Sequence, residues 1–262
     1  MTSTSPFTTF PGATAVSRVS IYDWPAADGK CGGAPHMHTA SSEAYVVLSG
    51  SGRLETLSTS GFASTPLEPG VTVWFTPGTI HRAVNDSGDL SVLVVMQNAG
   101  LPENGDAVMT FPPSCLASPE AYAAAAALPL SNADRGDVRA EAAARRRRDL
   151  ALDGYLRLRE ATKNDGGAAL RAFLAATAGL VSARTELWRD RVERGAELQA
   201  AFTRRNLMSL KSAESFFLSE AQTRIGAREP HRKYGMCGRI ETWNVSDAGD
   251  ASAGTEGSDT MG

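Results

Sequence analysis

Short apolar or alternating runs dominate the N-terminal part of the chain and predict β-strands. They lie at 14–24, 43–50, 52–57, 71–75 and 90–97. Turn signals such as SGSG, STSG, EPG and NDSGD separate them. Many short strands at this spacing are typical of an all-β sandwich or barrel. The runs VTVWF and LSVLVVM are apolar at successive positions, so we expect both to be buried on both faces.

From about residue 134 the hydrophobic period becomes helical. We expect a first helix over 137–162, a break at KNDGG, a long amphipathic helix over 170–202 and a third helix around 206–222. Helices with long apolar stripes must cover each other, the β domain or a second subunit.

These patterns together predict an α+β chain with separate parts. The β domain takes 12–112, and a proline-rich connector over 113–133 leads to an α-helical extension over 134–228. The segment 98–120 lacks periodicity, and we expect it to lie across the β domain rather than to extend freely. Residues 246–262 are small, polar and acidic, which predicts a disordered tail.

Charge divides the chain in the same way. Residues 1–133 have a net charge of −6 and residues 134–229 a net charge of +5. The run Arg145–Arg148 raises the question of nucleic-acid binding. However, four consecutive arginines spread over all faces of a helix, and no helix-turn-helix or aromatic platform accompanies them. A solvated helix face, or pairing with the acidic β half, is therefore favoured over a nucleic-acid partner.

The composition and the N-terminal sequence indicate the cellular compartment in which we expect the protein. No run approaches the ~18 consecutive apolar residues of a membrane helix. The N-terminus lacks both the basic start and the apolar core of a secretory signal. The three cysteines, Cys31, Cys115 and Cys237, are far apart and odd in number, which does not suggest a disulfide framework. We therefore expect a cytoplasmic protein with no membrane partner.

Three of the four histidines fall in two short segments, and these suggest a metal site. His36 and His38 are two residues apart, so both side chains point to one side of an extended strand. Glu43 begins the next strand, and His81 follows an apolar strand and a Pro-Gly turn. Three imidazoles and one carboxylate suit a divalent transition metal and leave positions for water or substrate.

The same two segments resemble the two sequence motifs of the cupin superfamily. The matching residues are His36, His38, Glu43 and Gly50 in the first motif, and Gly70, Pro77, Gly78, His81 and Asn85 in the second. Lys30 and Thr76 depart from the motifs at positions that are not ligands. The resemblance covers roughly residues 14–112 and implies a double-stranded β-helix barrel. It also implies that His36, His38, Glu43 and His81 bind one metal inside the barrel, where Fe, Mn, Zn, Ni, Co and Cu are all accepted.

The resemblance leaves several functions open. It implies an enzyme acting on a small polar organic molecule, either as a dioxygenase or as a Lewis-acid isomerase or lyase. A non-catalytic ligand-binding or sensor protein that signals through its helices is the alternative, and a nucleic-acid-associated regulator is a weaker third. Small cupins commonly form homodimers, so the helical extension is expected either to enlarge a dimer interface or to cap the barrel mouth.

Strand alternation suggests which side chains accompany the ligands. If Glu43 points inward, Tyr45 and Val47 do so too, and Ala83 and Asn85 follow His81. Tyr45 is therefore a candidate catalytic residue, as a hydrogen-bond donor or general acid, with half-buried packing as the alternative. We expect one of Trp74 and Phe75 to line the cavity. The pattern does not decide between Met96 and Gln97.

Overall fold

The computed structural model describes residues 9–129 and 138–250, with only the backbone described for 246–250. These residues form twelve strands: β1 Ala15–Ile21, β2 His36–His38, β3 Glu43–Ser49, β4 Gly52–Ser58, β5 Gly61–Leu67, β6 Thr72–Phe75, β7 Ile80–Asn85, β8 Ser91–Met96, β9 Ala107–Met109, β10 Arg224–Arg228, β11 Lys233–Tyr234 and β12 Gly238–Asp250. They also form five α-helices: α1 Pro119–Ala126, α2 Val138–Asn164, α3 Ala168–Val181, α4 Thr185–Val192 and α5 Leu198–Lys211. The predicted α+β class, with antiparallel β structure before a helical segment, is confirmed.

The strands form two antiparallel sheets. One has the order β10-β12-β1-β8-β3-β6, with β11 also paired to β12, and the other has the order β5-β4-β7-β2-β9. Each run that the hydrophobic pattern predicted as a strand contains one of these strands. The strands β2, β5, β7 and β9, and the C-terminal strands β10, β11 and β12, were not predicted from that pattern.

The two sheets enclose a core made by inward-facing side chains. Tyr45, Val47 and Ala83 are buried in it, as the alternation predicts. The prediction that 71–75 is buried on both faces is wrong, because β6 is the edge strand of its sheet and is covered on one side only. Phe75 is buried inside, whereas Trp74 on the outer side is 75% exposed. In β8 the inward side chains are buried and the outward ones are half-buried.

The helical extension covers the outer face of the five-stranded sheet. Met37 and Leu57 of that sheet pack in one apolar cluster with Leu152 of α2 and Phe173 of α3. The contact is close, since a Cβ atom added at Gly154 would lie 2.0 Å from the carbonyl oxygen of Thr110. A glycine at this position lets the backbone of α2 rest directly on the chain segment that follows β9.

The arginine run attaches α2 to the barrel. Arg148 is 2% exposed and donates hydrogen bonds to the carbonyl oxygens of Trp24 (2.8 Å) and Pro25 (3.0 Å). The guanidinium of Arg145 stacks over the Trp24 ring at 4.2 Å from its centroid. Of the four arginines only Arg146 is exposed, so the prediction of a solvated helix face applies to this residue alone. The other arginines of the run are structural or face the cavity described below.

The helices after α2 differ from the predicted pair. The chain from Ala168 to Lys211 is nearly continuous, with a 3-10 turn at Ser182–Arg184 and a π-helical turn at Glu193–Glu197. The prediction of a separate helix around 206–222 is wrong, because α5 ends at Lys211. Ala213 adopts a φ of 57°, which ends the helix, and only the short 3-10 turn Phe216–Glu220 follows.

The C-terminal strand returns to the barrel and pairs with the first strand. β12 lies antiparallel to β1, with Ile240 opposite Val19. The predicted disordered tail began at 246, but the backbone of 246–250 belongs to β12, and 251–262 lie outside the described residues. None of the described helices combines the length and hydropathy that crossing a bilayer requires.

Candidate metal centre

The structure brings the four predicted ligands together inside the barrel. One ligand atom from each of His36, His38, Glu43 and His81 lies within 4.8 Å of the others, and all four residues are buried. His36 on β2 is directly opposite His81 on β7, while Glu43 comes from β3 in the other sheet. The cluster therefore lies between the two sheets.

Hydrogen bonds from the protein orient the imidazole rings. His36 Nδ1 lies 2.8 Å from the carbonyl oxygen of Ala34, and His81 Nδ1 lies 3.2 Å from that of Thr79. Because a carbonyl oxygen only accepts, each Nδ1 carries a proton, and Nε2 is the ring nitrogen that could bind a metal. Fixing the ring through the nitrogen that does not bind is how proteins orient metal-binding histidines.

The remaining contacts place histidine ring nitrogens against one carboxylate oxygen. Glu43 Oε2 lies 3.1 Å from His81 Nε2 and 3.2 Å from His38 Nε2. Within the described part of the chain, Glu43 Oε2 and His81 Nε2 are buried and have no hydrogen-bond partner. Two lone pairs at this distance are favourable only with a proton or a cation between them. The residues present therefore fit a metal ion.

The electrostatics of the cluster are divided between neutral and charged groups. Burial, with the neighbouring His81 and His38, holds the pKa of His36 well below its usual range. Burial also opposes the charge on His38, but Glu43 and Asp106 outweigh it and raise the pKa of His38 to about 9. The pKa of Glu43 is lowered, because the two histidines outweigh the effect of its burial. Glu43 is consequently a carboxylate at neutral pH.

Asp106 supports the site, and sequence reasoning did not find it. Its Oδ2 lies 3.3 Å from His38 Nδ1, the ring nitrogen that faces away from Glu43. Its Oδ1 accepts hydrogen bonds from the backbone N–H groups of Thr39 (2.9 Å) and Ala40 (2.6 Å). Burial would raise the pKa of Asp106, but these contacts lower it to about 2. No local signal marks it, because it lies in an irregular segment next to a Gly.

Tyr45 lies beside the cluster and is fully buried. Its hydroxyl is 3.3 Å from the Sγ atom of Cys237, a residue for which no role was predicted. Burial raises the pKa of Tyr45 well above its usual value and that of Cys237 to about 12. Both groups are therefore neutral at physiological pH. Asn85, by contrast, donates to the carbonyl oxygen of Ile21 and is structural.

A cavity of about 320 Å³ adjoins the cluster. His36, His38, Glu43 and Tyr45 line it, and its walls are largely apolar. Met96 also lines it, which decides the alternative that the sequence left open, whereas Gln97 accepts a hydrogen bond from Ser42 N at 3.3 Å. The segment 233–242 forms another wall, and α2 contributes Arg147.

Comparison with known structures gives distant likenesses. QdtA, a sugar 3,4-ketoisomerase from Thermoanaerobacterium thermosaccharolyticum in complex with TDP, is 15% identical, with a TM-score of 0.30 over 36% of this chain and 64% of that chain. A variant of Streptomyces PAC13 with uridine is 19% identical, with a TM-score of 0.26 over 34% and 62% of the two chains. A conserved Klebsiella pneumoniae protein with a double-stranded β-helix domain is 18% identical, with a TM-score of 0.26 over 33% and 67%. The first two alignments span less than two thirds of those chains.

Comparison with protein families assigns the barrel. No protein of curated function matches this sequence. The cupin domain family matches residues 26–96, a segment that contains all four residues of the cluster. Its position agrees with the two antiparallel sheets that enclose the cluster. The predicted cupin resemblance of the N-terminal barrel is therefore confirmed over residues 26–96.

Proposed function

We propose that the protein is a metal-dependent enzyme that acts on a small organic molecule, with one divalent transition metal bound by His36, His38, Glu43 and His81. The observation that carries the proposal is the convergence of four buried ligand atoms within 4.8 Å, at the edge of a cavity. A metal in such a site supplies Lewis-acid activation of an oxygen or nitrogen group, or a binding position for dioxygen. Dioxygenases and Lewis-acid isomerases or lyases both use this chemistry.

The surrounding residues would hold the reacting groups in place. Ala34, Thr79 and Asp106 fix the histidine rings through their Nδ1 atoms. The apolar walls limit the water that reaches the site, which strengthens electrostatic interactions there. Tyr45 would act as a neutral hydrogen-bond donor to a molecule in the cavity, since its raised pKa keeps the hydroxyl protonated.

The test begins with protein stripped of metal by a chelator and reloaded separately with Fe²⁺, Mn²⁺, Zn²⁺, Ni²⁺, Co²⁺ or Cu²⁺. Each form is incubated with a mixture of small organic acids, sugars and their nucleotides, and consumption is followed by mass spectrometry beside an oxygen electrode. We expect consumption that requires metal and is absent in a His81→Ala variant.

The metal that restores turnover separates the reaction types. Turnover with iron or copper that consumes oxygen supports a dioxygenase, and turnover with zinc, manganese or nickel without oxygen supports an isomerase or lyase. Bound metal and bound small molecules with no consumption under any metal would contradict the enzyme, and would favour the ligand-binding or sensor alternative.

A further inference from the structure

Two cations that line the cavity make no ion pair with a carboxylate of the described residues. Arg147 of α2 and Lys233 of β11 both line it, although they lie far apart in sequence. Among the described residues neither makes an ion pair with an Asp or Glu side chain. Of the two carboxylates that line the cavity, Glu43 belongs to the metal cluster and Glu103 is exposed, with Oε2 accepting from Gly100 N at 2.9 Å.

Arg147 differs in its ion pairing from Arg82 and Arg148, which are buried. Arg82 pairs with Asp28 at 2.5 Å, and Arg148 pairs with Asp149 at 2.6 Å. Arg147 instead donates from Nη2 to the carbonyl oxygens of Gly235 (2.7 Å) and Tyr234 (3.4 Å). Its Nη1 makes one long hydrogen bond of 3.5 Å, to the carbonyl oxygen of Ala126.

This arrangement leaves the charge of Arg147 uncompensated. Burial lowers the pKa of its guanidinium, and the groups that oppose this effect are the hydroxyls of Tyr22 and Tyr122 rather than a carboxylate. Arg147 is half-buried, so its charge has lost part of its hydration, and an anion that enters the cavity would offset that cost. Carbonyl contacts hold the guanidinium in one orientation while part of its donor fork stays available.

We propose that the cavity binds a small organic carboxylate, with Arg147 and Lys233 as its anion-binding residues, in the same cavity that His36, His38 and Glu43 line. This inference rests on the proposed function only for the part of the ligand that would react at the metal. The binding of its carboxylate group to Arg147 and Lys233 does not depend on that function. The volume of about 320 Å³ is near the lower end of the range for ligand pockets, which limits the carboxylate to a small one. The apolar walls would contact its hydrocarbon part.

The assignment also gives the helical extension a function. Arg147 comes from α2 and contacts Tyr234 and Gly235, which precede β12. The helix and the C-terminal segment therefore build the anion-binding wall together, and the barrel strands supply the metal ligands. Neither part alone would contain the complete cavity.

The experiment compares acids with their uncharged amides of the same shape. The probes are acetate and acetamide, benzoate and benzamide, and 3-phenylpropionate and its amide, each titrated calorimetrically into metal-loaded and metal-free protein. We expect at least one acid to bind about tenfold or more tightly than its amide in wild type. In Arg147→Gln and in Lys233→Gln that preference should fall about threefold or more.

The control is Arg146→Gln, which removes an exposed arginine from the same helix and should leave the preference unchanged. Lys233 is exposed, so its variant keeps the fold if Arg147→Gln does not. The inference is overturned if no acid binds more tightly than its amide, or if the preference survives both substitutions. Because metal-free protein is titrated too, a failure to bind metal would contradict the proposed function without deciding the anion site.

Discussion

Two buried polar regions of this protein satisfy their charges in different ways. Between α2 and the barrel, Arg82 faces Asp28, Lys30 faces Glu55, and Arg148 reaches several carbonyl oxygens. Inside the barrel, Glu43 Oε2 and His81 Nε2 face each other with no donor between them.

The difference separates structural charges from binding charges. Where the protein supplies the counter-group, the polar residues position a helix. Where a carboxylate and three imidazoles converge, the proposed function supplies a metal cation from outside as their common partner. Under the two proposals, the cluster of histidines with Glu43 and the wall with Arg147 and Lys233 would both take their counter-charge from a ligand.

The largest expected effect is on the helix side of this comparison. Arg148→Ala should lower the free energy of unfolding by about 4 kcal/mol, because it leaves the buried carbonyl oxygen of Trp24 and the carbonyl oxygen of Pro25 without their donor and opens a void. Urea denaturation measures it. The matched variant Arg146→Ala, at an exposed position, should change the free energy by less than about 0.5 kcal/mol. Equal effects of the two substitutions would show that the run does not attach α2.

Asp28→Asn is expected to cost about 3 kcal/mol of unfolding free energy, since it leaves the buried Arg82 guanidinium without a counter-charge. Burial would raise the pKa of Asp28, but the hydrogen bond and charge of Arg82 lower it. A lowered folded pKa means that the stabilisation is complete above the unfolded pKa of about 4 and is lost as the pH falls through the folded pKa.

The difference between wild type and Asp28→Asn should accordingly be constant around neutral pH and shrink in acid. Denaturation curves recorded from pH 7 downward measure this. A difference that grew as the pH fell would have the wrong sign for an Asp28–Arg82 pair.

On the metal side, Asp106→Asn should weaken metal binding by about 10- to 100-fold without abolishing it, because Asp106 orients His38 rather than binding the metal. The asparagine keeps an oxygen for the N–H groups of Thr39 and Ala40. Competition with a coloured chelator gives the affinity. Asp23→Asn, at an exposed position, is the control and should leave the affinity unchanged.

The smallest expected effect on stability is that of Tyr45→Phe. The hydroxyl has one partner, Cys237 Sγ at 3.3 Å, so its loss should cost about 1 kcal/mol or less and leave the metal bound. Turnover, or acid binding where turnover is not assayed, should nevertheless fall. Unchanged turnover and binding would assign Tyr45 to packing alone.

Sequence reasoning predicted the four residues that converge in the barrel because their signal is local. Two short motifs fix the spacing of His36, His38, Glu43 and His81. The residues lie on the short strand β2 and at the beginnings of β3 and β7. Strand alternation likewise placed Tyr45 in the interior. Trp74 shows the limit of that reasoning, because an apolar run does not reveal that its strand is at the edge of a sheet.

The rest of the cavity depends on contacts between distant parts of the chain. β12 pairs with β1 across more than two hundred residues, and no pattern in its sequence predicts this partner. Cys237 and Lys233 enter the cavity only because of that pairing. Arg147 was one of four adjacent arginines, and only the docking of α2 distinguishes it from Arg146.

The metal content of purified protein tests the central claim most directly. Wild type, Glu43→Gln and Glu55→Gln are loaded identically, dialysed and measured by inductively coupled plasma mass spectrometry. Both glutamates are buried, but Glu55 pairs with Lys30 at the helix side, whereas Glu43 faces the histidines. We predict about one divalent ion per chain in wild type and in Glu55→Gln, and less than about a tenth of that in Glu43→Gln. No metal in wild type, or equal metal in all three proteins, would contradict a metal centre at these four residues.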